Sequence, residues 1–416
     1  MLRTMREPPR LHAPDSTLSL FTEGYTFASD RRRQVGADAF SCRLMLEKAV
    51  CIGGPDAVEP FFDPKLFKRE AVLPRRIRRT LLGDGGIHSL DGEPQRLRKA
   101  MFLQALGPHR ITEFREIFTR HWEAAVSDWT RDKSKGTVFF DAVRSILCGS
   151  SCEFAGVPTS EVDAGLCDDL FQMVDSFAAV GPLHWRGRMA RSRRERWASQ
   201  LIHGVRSRTI PARENSALHI VAAYRDVDGR LLPDDVAGVE LLNCIRPIMA
   251  VTYFAELAAA VLIINPVYRP ELDDDAFLES FVHELRRYCP FTPVLGARPC
   301  RDLEGNDYII PKGVLTIIDI YGIHYDERIW RDPHAFIPDR FIGQDAFQSA
   351  ILQQGGGAHA NGHRCAGEWI TVETLKLIVA GLARLSWRNK GDAGSLAYDL
   401  RRIPARLKNP VVLEFA

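Results

Sequence analysis

The sequence has no CxxC pair, no internal repeat, no low-complexity tract and no Gly/Ser/Pro-rich linker. Each absence excludes something. The 9 cysteines are scattered at uneven spacings, so they read as reduced thiols of a cytoplasmic, soluble protein rather than a disulfide framework. Cys148 and Cys152 stand one helical turn apart, but no second ligand pair follows, which argues against zinc. Without a linker, the 416 residues are read as a single domain over 1–416. Nor does one charge dominate. Lys and Arg number 55 against 53 acids, and a net charge of +2 gives no reason to expect nucleic acid as a partner. The basic run over 186–196, with Arg206 and Arg208, is read as a solvated helix face. The first sixteen residues are too charged and too Pro-rich for a secretory signal. The most apolar stretch, 245–265, contains Arg246, Pro247 and Glu256, so it is read as a buried core helix and no integral membrane span is expected.

What is present is mainly helical. Apolar residues recur at helical spacing over 113–129, 161–180, 191–207, 233–264, 276–288 and 368–385. Strand signals are short: 50–52, 411–415, and a hairpin of 307–310 with 314–318 around Pro311-Lys312-Gly313. A large helical body with a small β part excludes the alternating pattern of doubly wound folds.

The strongest local signal is the glycine-rich run 354–368, which contains Gly356, Gly357, His363, Arg364, Cys365 and Gly367 and opens a long apolar helix. A thiol at a helix start, beside an arginine, is placed to ionise. Glycines let a flat ligand approach, and backbone N–H groups can donate to sulfur, as a haem-thiolate ligand requires. The loop by itself leaves a buried structural cysteine as an open alternative.

A second pattern weighs against that alternative. Glu284 and Arg287 lie three apart on one helix face, a spacing that lets them pair. After them come Pro290-Phe291-Thr292-Pro293, the hairpin, Trp330-Arg331-Asp332-Pro333 and 336–341 with Arg340. This ordered set resembles the cytochrome P-450 superfamily. The resemblance implies that fold, a haem b held between the central and Cys-loop helices with Cys365 on iron, and a Glu284–Arg287–Arg340 brace behind the loop.

Two departures narrow the resemblance. Most members carry an acid–alcohol pair in the central helix, where this chain has Arg246-Pro247. A proline inside a helix costs about 3 kcal/mol or more, and a buried ionised side chain needs a partner. Arg246 therefore either reaches solvent or awaits an anion, and a fatty-acid carboxylate would suit it. The second departure is that Arg364 directly precedes the cysteine, one place later than usual. Both look like the bacterial fatty-acid peroxygenase branch, which includes hydroxylases and terminal-alkene-forming decarboxylases. The match runs from Gly24-Tyr25 through Gly85-Gly86-Ile87-His88 and Arg98-Lys99-Ala100 to the Cys loop.

The resemblance implies an enzyme acting on long-chain fatty acids with hydrogen peroxide and needing no redox partner. Arg246, next to Pro247, would hold the substrate carboxylate bidentately, and the carboxylate would act as acid–base for peroxide cleavage. His88 would sit over the haem as a near-neutral proton carrier. Arg98 would meet a haem propionate, with Arg69 and Lys99 in support and Gln95 where a histidine often assists. Gly356, Gly357, His363 and Gly367 would line the haem beside Cys365. The alkyl chain would run past Leu82, Val174, Phe177, Ala250, Phe291 and Thr292. Two rivals stay open: a reductase-fed monooxygenase on another anionic substrate, and a non-catalytic haem or fatty-acid binding protein.

Overall fold

In the computed structural model, residues 7–70, 72–131, 136–305, 308–391 and 396–415 are described. Helices form the bulk: Gly92–Leu106, Ile111–Arg131, Phe139–Ala155, Ala164–Asp175, Pro182–Arg206, Asp275–Tyr288 and Glu368–Arg384 are the longer ones outside the centre. They surround a central run, Asp234–Ile264, whose buried face and flanks are apolar almost throughout. It is long and apolar enough to cross a membrane, but 78% of its most apolar window is buried inside the fold.

The central run is not one regular helix. It is α-helical over Asp234–Ile245, tightens to a 3-10 segment over Arg246–Ala250, and resumes over Val251–Ile264. Pro247 explains the break, because it has no N–H to donate and its ring crowds the preceding turn. The tightened segment turns Arg246 to a position that a continuous helix would not give it.

A five-stranded sheet packs beside the helical body. Ala39–Leu44 pairs with Glu47–Ile52, which runs parallel to Leu315–Asp319; that strand pairs with Val294–Pro299, and the latter with Phe67–Lys68. The hairpin expected around Pro311-Lys312-Gly313 does not form. Ile309–Ile310 pairs instead with Leu303–Glu304, while the strand after the turn joins the large sheet. The turn thus separates two sheets, with Gly313 at a positive φ of 74°. Asp307, where the first strand was expected to begin, lies outside the described residues.

One cysteine expectation is overturned. Cys148 and Cys167 form a disulfide between two helices that pack together, Phe139–Ala155 and Ala164–Asp175. Their Cα atoms lie 5.5 Å apart, which suits a bridge. Contact between partners 19 residues apart follows from helix packing, which the cysteine spacing does not reveal. Cys365 is free.

Glu256, in the second half of the central helix, is almost fully buried. Its nearest cation, Arg406, is 4.0 Å away, and burial pushes its carboxyl up to about 7. A folded pKa above the unfolded value means the charge penalty is absent below about pH 4.5, grows as pH rises, and is complete above about pH 7. Glu256→Gln should therefore raise unfolding free energy by about 2–3 kcal/mol at pH 8 and change it little at pH 4. Denaturant titrations of both proteins at the two pH values check this, and an equal shift at both would refute it.

Candidate active site

The site assembles around two neighbouring arginines on the helix Asp275–Tyr288. Arg287 donates to both oxygens of Glu284 at 2.7 Å, and neither side chain is exposed. The same carboxylate accepts from Arg340 Nε and from the Ile337 N–H, each at 3.0 Å. Arg287 also donates to the carbonyls of His324 and Pro333. These bonds tie the helix to the strand of chain that leads into the Cys loop. Arg286 points elsewhere. It binds Glu368 and donates to Gln354 Oε1. Glu368 also accepts both an Nε and an NH2 bond from Arg364, and one from His359. These donors hold its carboxyl far below the usual range despite burial. The loop is therefore clamped at both ends, Gln354 and Glu368.

Between those ends, the Cys365 N–H donates to the Gln354 carbonyl at 2.8 Å. Its sulfur lies deep in the protein yet keeps accessible surface, so it faces an internal space. Burial pushes the thiol up, while the Gly367 N–H, Lys99 and Arg246 act in the opposite direction. Arg364 is spent on Glu368, so the expectation that it favours the thiolate is corrected: the cations acting on the sulfur are Lys99 and Arg246. A Cβ on Gly356 would sit 2.7 Å from the Phe62 ring, and Gly357 has a φ of 77°, so the loop needs glycine at both.

Arg98 is engaged elsewhere. Its guanidinium is bound to Glu240 at 2.9 Å, to Asp226 at 2.5 Å and to the Gly85 carbonyl. It faces the central helix, away from the loop. The residues facing the loop are Gln95, which donates to the Gly362 carbonyl at 3.1 Å, and Lys99, which donates to the Arg364 carbonyl. Gln95 and Lys99 are four apart on one helix face, a spacing present in the sequence; Arg98 is one residue off that face. Arg69 is buried over the Phe61 ring at 4.4 Å, donates to Gly296 and Phe61 carbonyls, and is pushed down to about 10 by burial. His363 bonds to Asp91 at 2.9 Å, and Asp91 also accepts from the Arg69 and Glu70 N–H groups. Lys99 and Arg69 thus form a cationic rim on the loop side of the space, with His363 beside them on Asp91.

On the opposite wall, Arg246 is buried without an acidic partner among the described residues, and its Nε has no hydrogen bond. Burial, with Arg191 nearby, pushes it down to about 9, so it remains charged at neutral pH. His88 lies deep but retains open surface, which places its ring in the same space. Burial together with Arg246, His363, Lys99 and Arg191 pushes the imidazole down to about 3. The ring is therefore neutral at neutral pH.

The loop bearing His88 is fixed by residues that the sequence reading passed over. Glu240, fully buried on the central helix, accepts from the Ile87 N–H at 2.8 Å as well as from Arg98 and Asn243. Asn243 and Arg191 both donate to the Leu82 carbonyl. Gly86 lies so close that a Cβ there would stand 3.1 Å from Asn243 Nδ2. A charged residue at the centre of an apolar helix, as Glu240 is, was the available signal.

The expected alkyl lining divides. Pro247, Ala250, Phe177, Phe291 and Thr292 keep accessible surface within the core region, and the Phe291 ring packs on Tyr253 and Phe254. Leu82 is nearly closed off, and Val174 is sealed in the core behind the lining.

Comparisons with known proteins agree with this geometry. The cytochrome P-450 family model matches residues 270–381. A steroid 17-alpha-hydroxylase/17,20 lyase of Squalus acanthias is 39% identical over 120 residues, covering 27% of this chain and 23% of that protein. Cytochrome P-450 81F2 of Arabidopsis thaliana is 31% identical over 118 residues, 28% of this chain and 23% of that protein. The chain thus spans about a quarter of the length of the curated relatives it matches. Solved structures match over nearly everything. Cytochrome P-450SP alpha (CYP152B1) in complex with (R)-ibuprophen is 35% identical with a TM-score of 0.91, covering 97% of this chain and 98% of that one. Cytochrome P-450EX alpha (CYP152N1) with myristic acid is 31% identical with a TM-score of 0.91, covering 98% of both chains. A variant of cytochrome P-450 OleT in complex with arachidonic acid is 28% identical with a TM-score of 0.92, covering 98% of this chain and 97% of that one.

The chain belongs to the cytochrome P-450 family, on its whole-length match at 35% identity. Membership implies haem b with its iron on a cysteine thiolate. The residues present fit that group: a deep sulfur facing open space, an N–H donor to it from Gly367, and a cationic rim for two propionates.

The rim and the Arg98 anchor give opposite expectations on mutation. Lys99→Met should lower haem retention, read as the Soret-to-protein absorbance ratio, while leaving the melting temperature of the haem-free protein nearly unchanged. Arg98→Met should strand buried Glu240 and cost about 3–5 kcal/mol of stability, yet retain haem in the fraction that folds. The reverse pattern would restore Arg98 as the propionate ligand.

Proposed function

We propose that the protein is a haem-thiolate peroxygenase that oxidises long-chain fatty acids at the α and β carbons with hydrogen peroxide, by hydroxylation, by decarboxylation to terminal alkenes, or both. The observation that carries this reading is Arg246, a buried guanidinium with no acidic partner among the described residues, within electrostatic reach of Cys365. Such a cation destabilises the ligand-free protein and is relieved by an anion. Similar structures in complex with myristic and arachidonic acid support a fatty-acid carboxylate as that anion.

Cys365 is the residue that would hold the iron, with Lys99, Arg69 and His363 toward the propionates. When bound, the haem supplies oxygen-atom chemistry, and an anionic sulfur ligand favours O–O cleavage. The chain's own residues do the rest. Arg246 fixes the carboxylate through a two-pronged contact. Pro247 sets the tight 3-10 turn that aims it. The bound carboxylate then serves as the acid–base that the central helix lacks, which is why no reductase is required. His88, held neutral, is a hydrogen-bonding partner beside that carboxylate and not a second cation. Phe177, Ala250, Phe291 and Thr292 receive the alkyl chain.

The test is product analysis of haem-loaded protein with a long-chain saturated acid and hydrogen peroxide, by gas chromatography with mass detection. Terminal alkene or 2- or 3-hydroxy acid is expected, with the methyl ester of the same acid inert. Arg246→Leu should lower turnover on the order of 100-fold, the loss of a buried charge-assisted contact worth about 2–5 kcal/mol. Its melting temperature should hold or rise, since an unpaired buried cation is removed. Turnover that needs a reductase and ignores peroxide would overturn the reading in favour of a monooxygenase. Haem without either kind of product would favour a binding protein.

A further inference from the structure

One side of the molecule displays apolar side chains that the fold leaves in water. Val180, Trp185 and Met189 are 62%, 65% and 60% exposed, and Leu18 and Leu73, on the elements that Arg76 joins to this turn, are exposed too. They come from three separate elements: the helix Thr17–Glu23, the segment before Arg75–Ile77, and the turn opening Pro182–Arg206. Arg76 gathers these elements. Its guanidinium lies 5.7 Å from the Phe21 ring and donates to the Ala179 carbonyl at 2.5 Å.

The patch is also cationic. Trp185, Met189 and Arg196 repeat at intervals of four and seven along one stripe of the helix, spanning about 16 Å at the helical rise. Arg75, Arg186 and Arg196 are exposed and have no acidic partner among the described residues. Acids on or near these elements are taken by other arginines: Glu23 by Arg31, Asp84 by Arg78 and Arg79, and Glu195 by Arg191.

We propose that this face docks on an anionic lipid bilayer. A tryptophan, a methionine and a valine at one level, with arginines whose stems can lie along the surface, suit the boundary between headgroups and acyl chains. Free arginines select anionic headgroups. A second copy of this chain fits less well: a two-fold interface would set the same arginines against one another. The face also adjoins the site. Val180 follows Phe177 by three residues, and the helix donates through Arg188 and Arg191 to the carbonyls of Arg79, Leu81 and Leu82. Docking would place the mouth of the alkyl channel against the phase in which long-chain acids dissolve. Only that last consequence rests on the fatty-acid reading.

The experiment is co-sedimentation of haem-loaded protein with phosphatidylcholine vesicles made with and without phosphatidylglycerol. Binding is expected only with phosphatidylglycerol and should fade in high salt, as screening requires. The double variant Trp185→Ser/Met189→Ser and the double variant Arg186→Glu/Arg196→Glu should each weaken it by about tenfold or more. Both should keep peroxide-driven turnover of a short, freely dissolved fatty acid, since none of these side chains lines the pocket. Absence of binding, or binding that both variants retain, would overturn the proposal. A concentration-dependent dimer in sedimentation velocity, lost in Trp185→Ser/Met189→Ser, would assign the face to a second copy instead. Vesicle binding by a protein that forms no oxidised acid would sink the catalytic reading and leave the docking surface standing.

Discussion

Two arginines adjacent in sequence, Arg286 and Arg287, each bury a carboxylate, and the position of Cys365 depends on both. Arg287 fixes Glu284, and with it Arg340 and the approach to the loop. Arg286 fixes Glu368, and with it Arg364 and the first turn of the helix beyond the cysteine. The four fully buried charges, Arg286, Arg287, Glu284 and Glu368, would be prohibitive if any partner were missing, because an isolated ion in the interior costs several kcal/mol. Here every carboxylate accepts from at least three donors. The result is a glycine-rich segment with little core packing of its own, held rigidly enough to present one sulfur atom.

The opposite wall obeys the inverse logic. Arg246 is nearly as buried as Arg286, but among the described residues it has no carboxylate. The same interior that pairs its other arginines leaves this one unmatched, beside Arg191, whose guanidinium is spent on Glu195 and two carbonyls. The 3-10 turn at Pro247 keeps it from relaxing along the helix. On the proposed reading the substrate supplies the missing charge, so binding completes an ion pair whose other half the fold already holds in place.

Legibility in the sequence followed the range of the interactions. The Cys loop, the Glu284–Arg287 pair and the Arg246-Pro247 step are local, and their residue types alone announced unusual chemistry. Helices with an apolar stripe were readable by period, and Phe139–Ala155, missed in the sequence, carries the same signal: Asp141, Ser145 and Glu153 line its one exposed stripe. The other failures were pairings between distant segments. Nothing near Pro311-Lys312-Gly313 says that its two flanks join different sheets. Cys148 meets Cys167 only because two helices fold back on each other. Arg98 and Lys99 are neighbours in sequence but about 100° apart around the helix, so one meets Glu240 and the other the Cys loop, a division that the sequence does not announce.

That choice matters for the charge balance of the cavity. With Arg98 assigned to the propionates, Glu240 would be a lone buried carboxylate holding the Ile87 N–H, and the His88 loop would lack a stable support. With Arg98 on Glu240, the loop is braced from the central helix, and the cations that remain open to the cavity are Lys99, Arg69 and Arg246. All three are pushed below their ordinary values by burial, as is His88. An interior this positive is stable only when anions enter it. On the proposed reading the thiolate, two propionates and one carboxylate are those anions, and two of the three cations, Lys99 and Arg246, already act on the sulfur.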